Sequence, residues 1–389
     1  MKICLINHLY RPFVRGGAEN VVENIADGFI KNGDEIIVIT TKPRFWRVKI
    51  SPLPYRVFYL KSFFSNLSRL PYIVRFFWHF GNVFDIFTAV KVGQILAVEK
   101  PDLIITNNLA GLSYLIPWVV KKKKIKLIHI LHDIQLLHPS GLLIYSDEKK
   151  IDNFYSRIYQ FLLKKLFNQV DAVISPSQWL LDLHTQKGFF SKAEKKIASN
   201  PIKIGSKYES RGPNGIFQLL YATQIEEHKG IFFLVKAFIK LQKANQNLQI
   251  KLKIVGGGQG EKKLRELIAG NSDIEYLGRV SSEKVSAEMG ESSLLIVPSL
   301  CYENYPTVIL EGVSNALPAL AADIGGSREI IDKYGGILFK PCDLDDLVAK
   351  INLTIKNPQL LEGIKSGYLQ HYRQLVSANS DYIKLLLTV

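Results

Sequence analysis

The chain has 389 residues, 47% of them hydrophobic, so it can bury two cores of ordinary size and two domains are expected. Three scattered cysteines, Cys4, Cys301 and Cys342, are too few for a disulfide framework or a cysteine zinc site and point to a reducing compartment. The net charge of +15 is uneven: residues 1–200 hold 28 of the 50 Lys and Arg but 15 of the 35 Asp and Glu. The opening MKICLINHLYRPF reads as a first strand rather than a signal peptide, and no run reaches the ~18 consecutive apolar residues of a membrane span.

In chain order, residues 2–7 form a strand, Gly16-Gly17-Ala18-Glu19 opens a helix that runs to Phe29, and Asn32-Gly33 turns the chain into a strand at 35–40. That is a βαβ unit. Further strands are expected at 103–106, 126–131 and 172–174, with helices near 89–99, 154–167 and 178–186. Residues 196–215 break the alternation with prolines, glycines and polar residues and read as an interdomain linker. A second series follows, with strands at 217–222, 250–255, 274–277, 294–297 and 318–321 and helices at 230–242, 261–268, 283–289 and 308–314. Helices at about 343–350, 358–369 and 381–387 end the chain. This alternation predicts an α/β fold of two tandem Rossmann-like domains with parallel, doubly wound sheets, facing each other across a cleft.

Between Glu35 and Asp85 there is no acid, while Lys42, Arg44, Arg47, Lys49, Arg56, Lys61, Arg69 and Arg75 are interleaved with aromatics such as Phe45, Trp46, Phe77 and Trp78. Basic residues mixed with large aromatics are what an anionic bilayer surface attracts, so a peripheral membrane contact through residues 42–80 is expected. Core aromatics beside a solvated basic face are the plainer reading. Nucleic acid is disfavoured, because no zinc-finger spacing, basic heptad or RNP-like strand accompanies the charge.

The densest information lies in PSLCYENYPTVILEGVSNALPALAADIGGSREII, which begins at Pro298. An apolar strand stops at Pro298-Ser299, a loop carries Glu303, Asn304, Tyr305 and Pro306, and helical spacing resumes through Thr307, Val308 and Glu311. Backbone N–H groups and a positive helix end therefore stand beside a loop carboxylate, a place that suits an anion. A capped helix with two solvated acids is the bland alternative.

This segment resembles the E-x7-E signature of retaining, GT-B-fold glycosyltransferases of the family-four group, with Gly325, Gly326 and Glu329 matching the Gly-Gly-x-x-Glu element that follows. The resemblance covers roughly residues 1–20 and 127–335. It implies that Glu303 lies at the donor sugar and that Glu311 accepts hydrogen bonds from the nucleotide ribose, with Asn304, Tyr305, Thr307 and Val308 around the leaving diphosphate. In residues 221–230 Lys229 falls on the family's diphosphate-binding lysine, whereas Gln224 stands where arginine is usual. Gly256 belongs to a glycine loop near the nucleotide whose spacing is not G-x-G-x-x-G, and Arg279 and Val280 to the loop that meets the base. Gly16 and Gly17 match a glycine pair near the diphosphate, and His132, in His132-Asp133, an element at the donor sugar. On residues alone, Lys229 reads rather as a solvated lysine before a helix N-cap, and His132 as a structural strand-end histidine.

The resemblance further implies an acceptor-binding domain at 1–198, a linker at 199–215, a nucleotide-sugar-binding domain at 216–365 and a helical segment at 366–389 packing at the domain junction. The implied activity is retaining hexosyl transfer from a UDP- or GDP-sugar to a saccharide or lipid-linked saccharide in cell-surface glycan assembly. No metal or other cofactor is implied, and the expected location is cytoplasmic, peripheral on the inner face of the membrane. Two alternatives remain open: a nucleotide-sugar epimerase of the same fold, and a sugar-nucleotide-binding subunit without turnover, which Gln224 keeps in play.

Overall fold

The computed structural model describes residues 1–13, 16–43, 52–62, 72–202 and 215–389. The chain divides into two compact units: Met1–Leu142 with Glu148–Pro201 and Asn379–Val389, and Leu143–Asp147 with Ile202–Ala378.

In the first unit the chain runs β1 (Lys2–Ile6), α1 (Gly17–Lys31), β2 (Glu35–Pro43), β3 (Arg56–Ser62), α2 (Tyr72–Val83), α3 (Ile86–Glu99), β4 (Leu103–Thr106), α4 (Ile116–Lys122), β5 (Lys126–Ile130), α5 (Phe154–Phe167), β6 (Ala172–Ser175), α6 (Gln178–Gln186) and β7 (Glu194–Ile197). All seven strands pair in parallel in the order β3-β2-β1-β4-β5-β6-β7. Strands buried on both faces read as unbroken apolar runs, which is why LIIT and AVIS were legible as strands. Right-handed crossovers put α1 on one face of this sheet and α2 to α6 on the other. The strand order reverses between β1 and β4, and an open α/β sheet binds its ligands at such a point, beyond the carboxyl ends of the strands.

The second unit runs β8 (Phe217–Ala222), α7 (Ile231–Ala244), β9 (Ile250–Val255), α8 (Glu261–Ile268), β10 (Ile274–Gly278), α9 (Ser282–Gly290), β11 (Leu294–Val297), α10 (Thr307–Ser314), β12 (Ala319–Ala322), α11 (Gly326–Tyr334), β13 (Ile337–Phe339), α12 (Leu344–Lys356) and α13 (Pro358–Thr388). Its six parallel strands follow the order β10-β9-β8-β11-β12-β13, with the reversal between β8 and β11. Alternate residues of one strand feed two cores: Leu219 and Tyr221 pack on one face with Phe238 and Leu252, Leu220 on the other with Leu295 and Ile309.

Two helices expected at 358–369 and 381–387 are one 31-residue helix, α13, because nothing between them breaks the hydrogen-bond ladder. Its last turns belong to the first unit, where Tyr382, Ile383, Leu386 and Val389 join Val22, Ala26 and Phe29 in one core. A Cβ at Gly28 would lie 2.7 Å from Ile383, so the glycine lets α13 seat against α1.

The expectation for residues 42–80 changes in part. Arg44, Phe45, Trp46, Arg47 and Lys49 lie outside the described residues. Arg56, however, forms ion pairs with Glu99 and Glu35, so acids distant in sequence supply what its own segment lacks. Tyr55 hydrogen-bonds Tyr10, and the Tyr59 hydroxyl donates to the Arg11 carbonyl, so these aromatics are structural.

Candidate functional site

In the second unit the switch point collects most of the candidate donor-binding residues. The chain leaves β8 at Ala222, and a short helical turn, Glu227–Lys229, ends at Gly230 with φ of 76°. A Cβ at Gly230 would sit 1.8 Å from the Pro298 carbonyl oxygen, so only glycine allows this turn to close against the loop that follows β11. Lys229 is thereby carried to Glu303: its Nζ donates to Oε1 at 2.7 Å and Oε2 at 2.9 Å. The Ser299 hydroxyl also donates to Glu303 Oε1, at 2.7 Å.

Burial alone would favour neutral forms at both partners. The Lys229 charge, with its hydrogen bonds and that of Ser299, outweighs burial and holds Glu303 below the ordinary carboxylate range. Burial likewise pulls Lys229 down, but Glu303 outweighs it and raises the lysine. Both shifts point to one charged pair.

Glu311 behaves oppositely. It lies on the second turn of α10, and no hydrogen bond or ion pair reaches its carboxyl among the described residues. Burial pushes it up to about 7. Pro306 stands at the N-cap of α10 without a side-chain cap, so the orphan N–H groups of Thr307 and Val308 point out of the helix beside Asn304 and Tyr305. The loop is braced from behind by α11: the Gly326 N–H donates to the Glu303 carbonyl at 2.7 Å, and a Cβ on Gly326 would meet the Asn304 carbonyl oxygen at 2.1 Å.

Gln224, Gly256, Arg279 and Val280 gather at the ends of β8, β9 and β10. The Tyr221 hydroxyl donates to the Gln224 carbonyl at 2.6 Å, the Tyr276 hydroxyl to the Gly256 carbonyl at 3.0 Å, and the Gly256 N–H to the Gly278 carbonyl at 2.9 Å. Backbone bonds thus stitch the glycine loop to the loop carrying Arg279.

In the first unit the switch point carries Gly16, Gly17 and His132. Gly16 caps α1, and its N–H donates to Glu19 Oε2 at 2.7 Å. His132, beyond β5, is pushed by burial down to about 4 and is neutral near pH 7; its Nε2 lies 2.8 Å from Asn107 Oδ1, the acceptor side of that amide. Asp133 accepts from the Gln135 N–H at 2.7 Å, yet burial, helped by the charge of Glu19, lifts it to about 7. His129 is a core residue, bonded to Thr106 and packed on Phe167 and Phe190.

Reasoning from sequence missed Ser299, the second support of Glu303, and Asn107, the partner of His132. Each stands within two residues of the end of a predicted strand, a position that could have flagged it. Among the described residues no group of three or more His, Cys, Asp or Glu is arranged to hold a metal ion.

Residues 15–203 match the family model described as Glycosyltransferase Family 4, and residues 208–367 the one described as Glycosyl transferases group 1. An uncharacterised protein in the cps region of Klebsiella pneumoniae is 26% identical over 90% of this chain and 96% of its own. An uncharacterised glycosyltransferase of Methanocaldococcus jannaschii is 28% identical over 72% of this chain and 73% of its own. Among solved structures, sucrose-phosphate synthase from Thermosynechococcus elongatus has a TM-score of 0.73 at 17% identity, over 99% of this chain and 98% of that one. Anabaena HepE, solved in complex with UDP-glucose, has a TM-score of 0.70 at 19% identity over the full length of both chains. Two glycosyltransferase family models thus match in tandem along most of the chain, and its two parallel-sheet units have the GT-B fold of these structures.

Proposed function

We propose that the protein is a retaining glycosyltransferase that moves a hexosyl group from a UDP- or GDP-sugar to a saccharide or lipid-linked saccharide in cell-surface glycan assembly. The observation that carries the reading is the pairing of Lys229 with Glu303 at the switch point of the second unit, beside the open N-terminus of α10 and the unpaired carboxyl of Glu311. A diphosphate suits that place: Lys229 and the N–H groups of the helix end offer positive charge and donors, and Glu311 offers an acceptor for ribose hydroxyls. The UDP-glucose seen with HepE and the cps-region setting of the Klebsiella relative support the donor class and the pathway class.

Retention then proceeds by front-side attack, in which the leaving diphosphate takes the acceptor proton, so the protein stabilises charge and positions reactants. Lys229 stabilises the leaving group, Glu303 holds Lys229 and faces the sugar, and the base is read by the backbone around Arg279 and Val280. Gln224, Gly256, Gly16, Gly17 and His132 keep the roles the resemblance implies. Domain roles follow the same reading, with acceptor binding in residues 1–198 and donor binding in 216–365. Attachment to the inner face of an anionic membrane through residues 42–80 belongs to it as well.

The test is incubation with UDP- and GDP-sugars, with and without a lipid-linked saccharide acceptor. Nucleotide release that needs the acceptor, with the donor's anomeric configuration kept in the product, is the expected result. Epimerised sugar would make the protein an epimerase, and binding without turnover a binding subunit.

A further inference from the structure

Large apolar side chains left in water are concentrated on one layer of the first unit. Phe84, Ile86 and Phe87 stand exposed where α2 gives way to α3, with Phe87 at 85%, and Phe154, Ile158 and Phe161 stand exposed on α5, with Phe154 at 80%. Scattered singly, such residues are ordinary; gathered on one layer they mark an interaction surface. On α5 they recur at intervals of four and three residues and form a stripe, while Tyr159, Leu163 and Phe167 form a second stripe that is buried. A surface helix covering a core would carry polar residues on its outer face, and this one has aromatics there.

The two groups belong to one layer. Phe80 of α2 packs edge-on against Tyr155 of α5 with ring centroids 5.7 Å apart; Phe84 follows one turn after Phe80, and Phe154 immediately precedes Tyr155. The α4 helix packs against both α3 and α5 and completes the layer.

Apart from Glu99, the charged residues of these helices are all basic. Lys91, Lys121, Lys122, Arg157, Lys164 and Lys165 lie on α3, α4 and α5, whereas α2, α4 and α5 contain no acid. Glu99 of α3 is buried in ion pairs with Lys2 and Arg56. Lys165 Nζ lies 4.4 Å from the ring centre of Phe161, and Lys122 Nζ 3.6 Å from that of Trp118, so cationic heads ride directly on exposed rings.

We infer that this layer is a bilayer-binding face, which places its aromatics among the acyl chains and headgroups of anionic lipid and its lysines at the phosphates. Charge complementarity decides the occupant. Protein interfaces deplete lysine, whereas a lipid surface accepts lysines that snorkel beside buried aromatics. The stretch Trp78–Glu99 is apolar and long enough to cross a membrane, but it is two helices joined at Asp85, whose carboxylate caps α3, and Val83, Ala89, Val92 and Leu96 are buried in the unit. It lies on the bilayer rather than through it. This face is separate from residues 42–62, and the inference does not rest on the donor assignment.

The experiment is co-sedimentation of the full chain with vesicles of phosphatidylcholine alone and of phosphatidylcholine with phosphatidylglycerol. Wild type is expected to pellet with the anionic vesicles. Phe84→Ser combined with Phe87→Ser, Phe154→Ser and Phe161→Ser should cut partitioning by about tenfold or more. Arg157→Glu with Lys165→Glu should cut it at low salt by a comparable factor while leaving the aromatics in place. The variant with Arg44, Arg47 and Lys49 changed to Glu should lose only the share of binding that residues 42–80 supply and should still pellet. The inference is overturned if wild type stays in the supernatant with both vesicles, or if the aromatic variant, folded by circular dichroism, pellets as well as wild type. It is also overturned if only the Arg44, Arg47 and Lys49 variant is lost from the pellet, or if the aromatic changes convert a dimer to a monomer without altering lipid binding.

Discussion

Glu303 and Glu311 are the same side chain in opposite protonation regimes, because Lys229 and Ser299 reach one of them and, among the described residues, no cation reaches the other. The Lys229→Ala change removes the charge that would stabilise a leaving diphosphate, a loss of about 2–4 kcal/mol by comparison with oxyanion donors, and kcat should fall by roughly 30- to 1,000-fold in steady-state assays. A fall in kcat/KM through KM alone would reassign Lys229 to ground-state binding. For Glu311 the prediction concerns pH. Its native state holds the proton more tightly than the unfolded chain does, so its contribution to stability is present below the ordinary glutamate range and is lost as pH rises through about 7. Glu311→Gln should therefore melt higher than wild type at about pH 8 and gain less at about pH 5. Donor affinity should move the other way in wild type, rising with pH through about 7 as the carboxylate becomes available to ribose, and this dependence should vanish in Glu311→Gln. Thermal melts and donor titrations at the two pH values check both statements.

The loop between β11 and α10 owes its shape to neighbouring elements as much as to its own residues. Gly326, at the start of α11, lies so close to the Asn304 carbonyl that a methyl group must push the loop away. Gly326→Ala should leave the protein folded, with a loss of roughly 1–3 kcal/mol, but should weaken nucleotide binding by about tenfold or more through displacement of residues 303–305. Unchanged binding in a folded variant would mean that this loop does not shape the site. Residue spacing was enough to find β8, β11 and α10, because apolar runs ending in Pro298-Ser299 and helical spacing after Pro306 are local signals. The ion pair was not legible in that way. Lys229 and Glu303 are 74 residues apart, and they meet only because parallel pairing sets β8 beside β11. The edge strands β3, β7 and β13 were missed: the run Val57–Leu60 of β3 was read with the aromatics of the basic segment, β7 has the sequence EKKI with no apolar run, and β13 spans three residues. The basic segment misled where it relied on local composition, since Arg56 finds its acids in β2 and α3.

At the scale of the whole molecule, the chain ends by returning to its first unit. Tyr382 and Leu386 are buried against α1, so Leu386→Ala should cost about 2–5 kcal/mol, and chemical denaturation should show the loss in the transition that reports the first unit. A loss confined to the transition of the second unit would contradict the assignment of residues 379–389 to the first. That helix was legible in two pieces, because polar residues from 370 to 380 mask its continuity, and tertiary packing at its far end keeps the ladder intact. The central claim is that the second unit binds a nucleotide-diphosphate sugar at Lys229, Glu303 and Glu311. Its most direct test is calorimetric titration of UDP, GDP and their sugars into wild type, Lys229→Ala and Glu311→Gln. The account predicts saturable binding of at least one nucleotide to wild type and a loss of about tenfold or more in each variant. No binding of either nucleotide, or equal affinity in all three proteins, would contradict it.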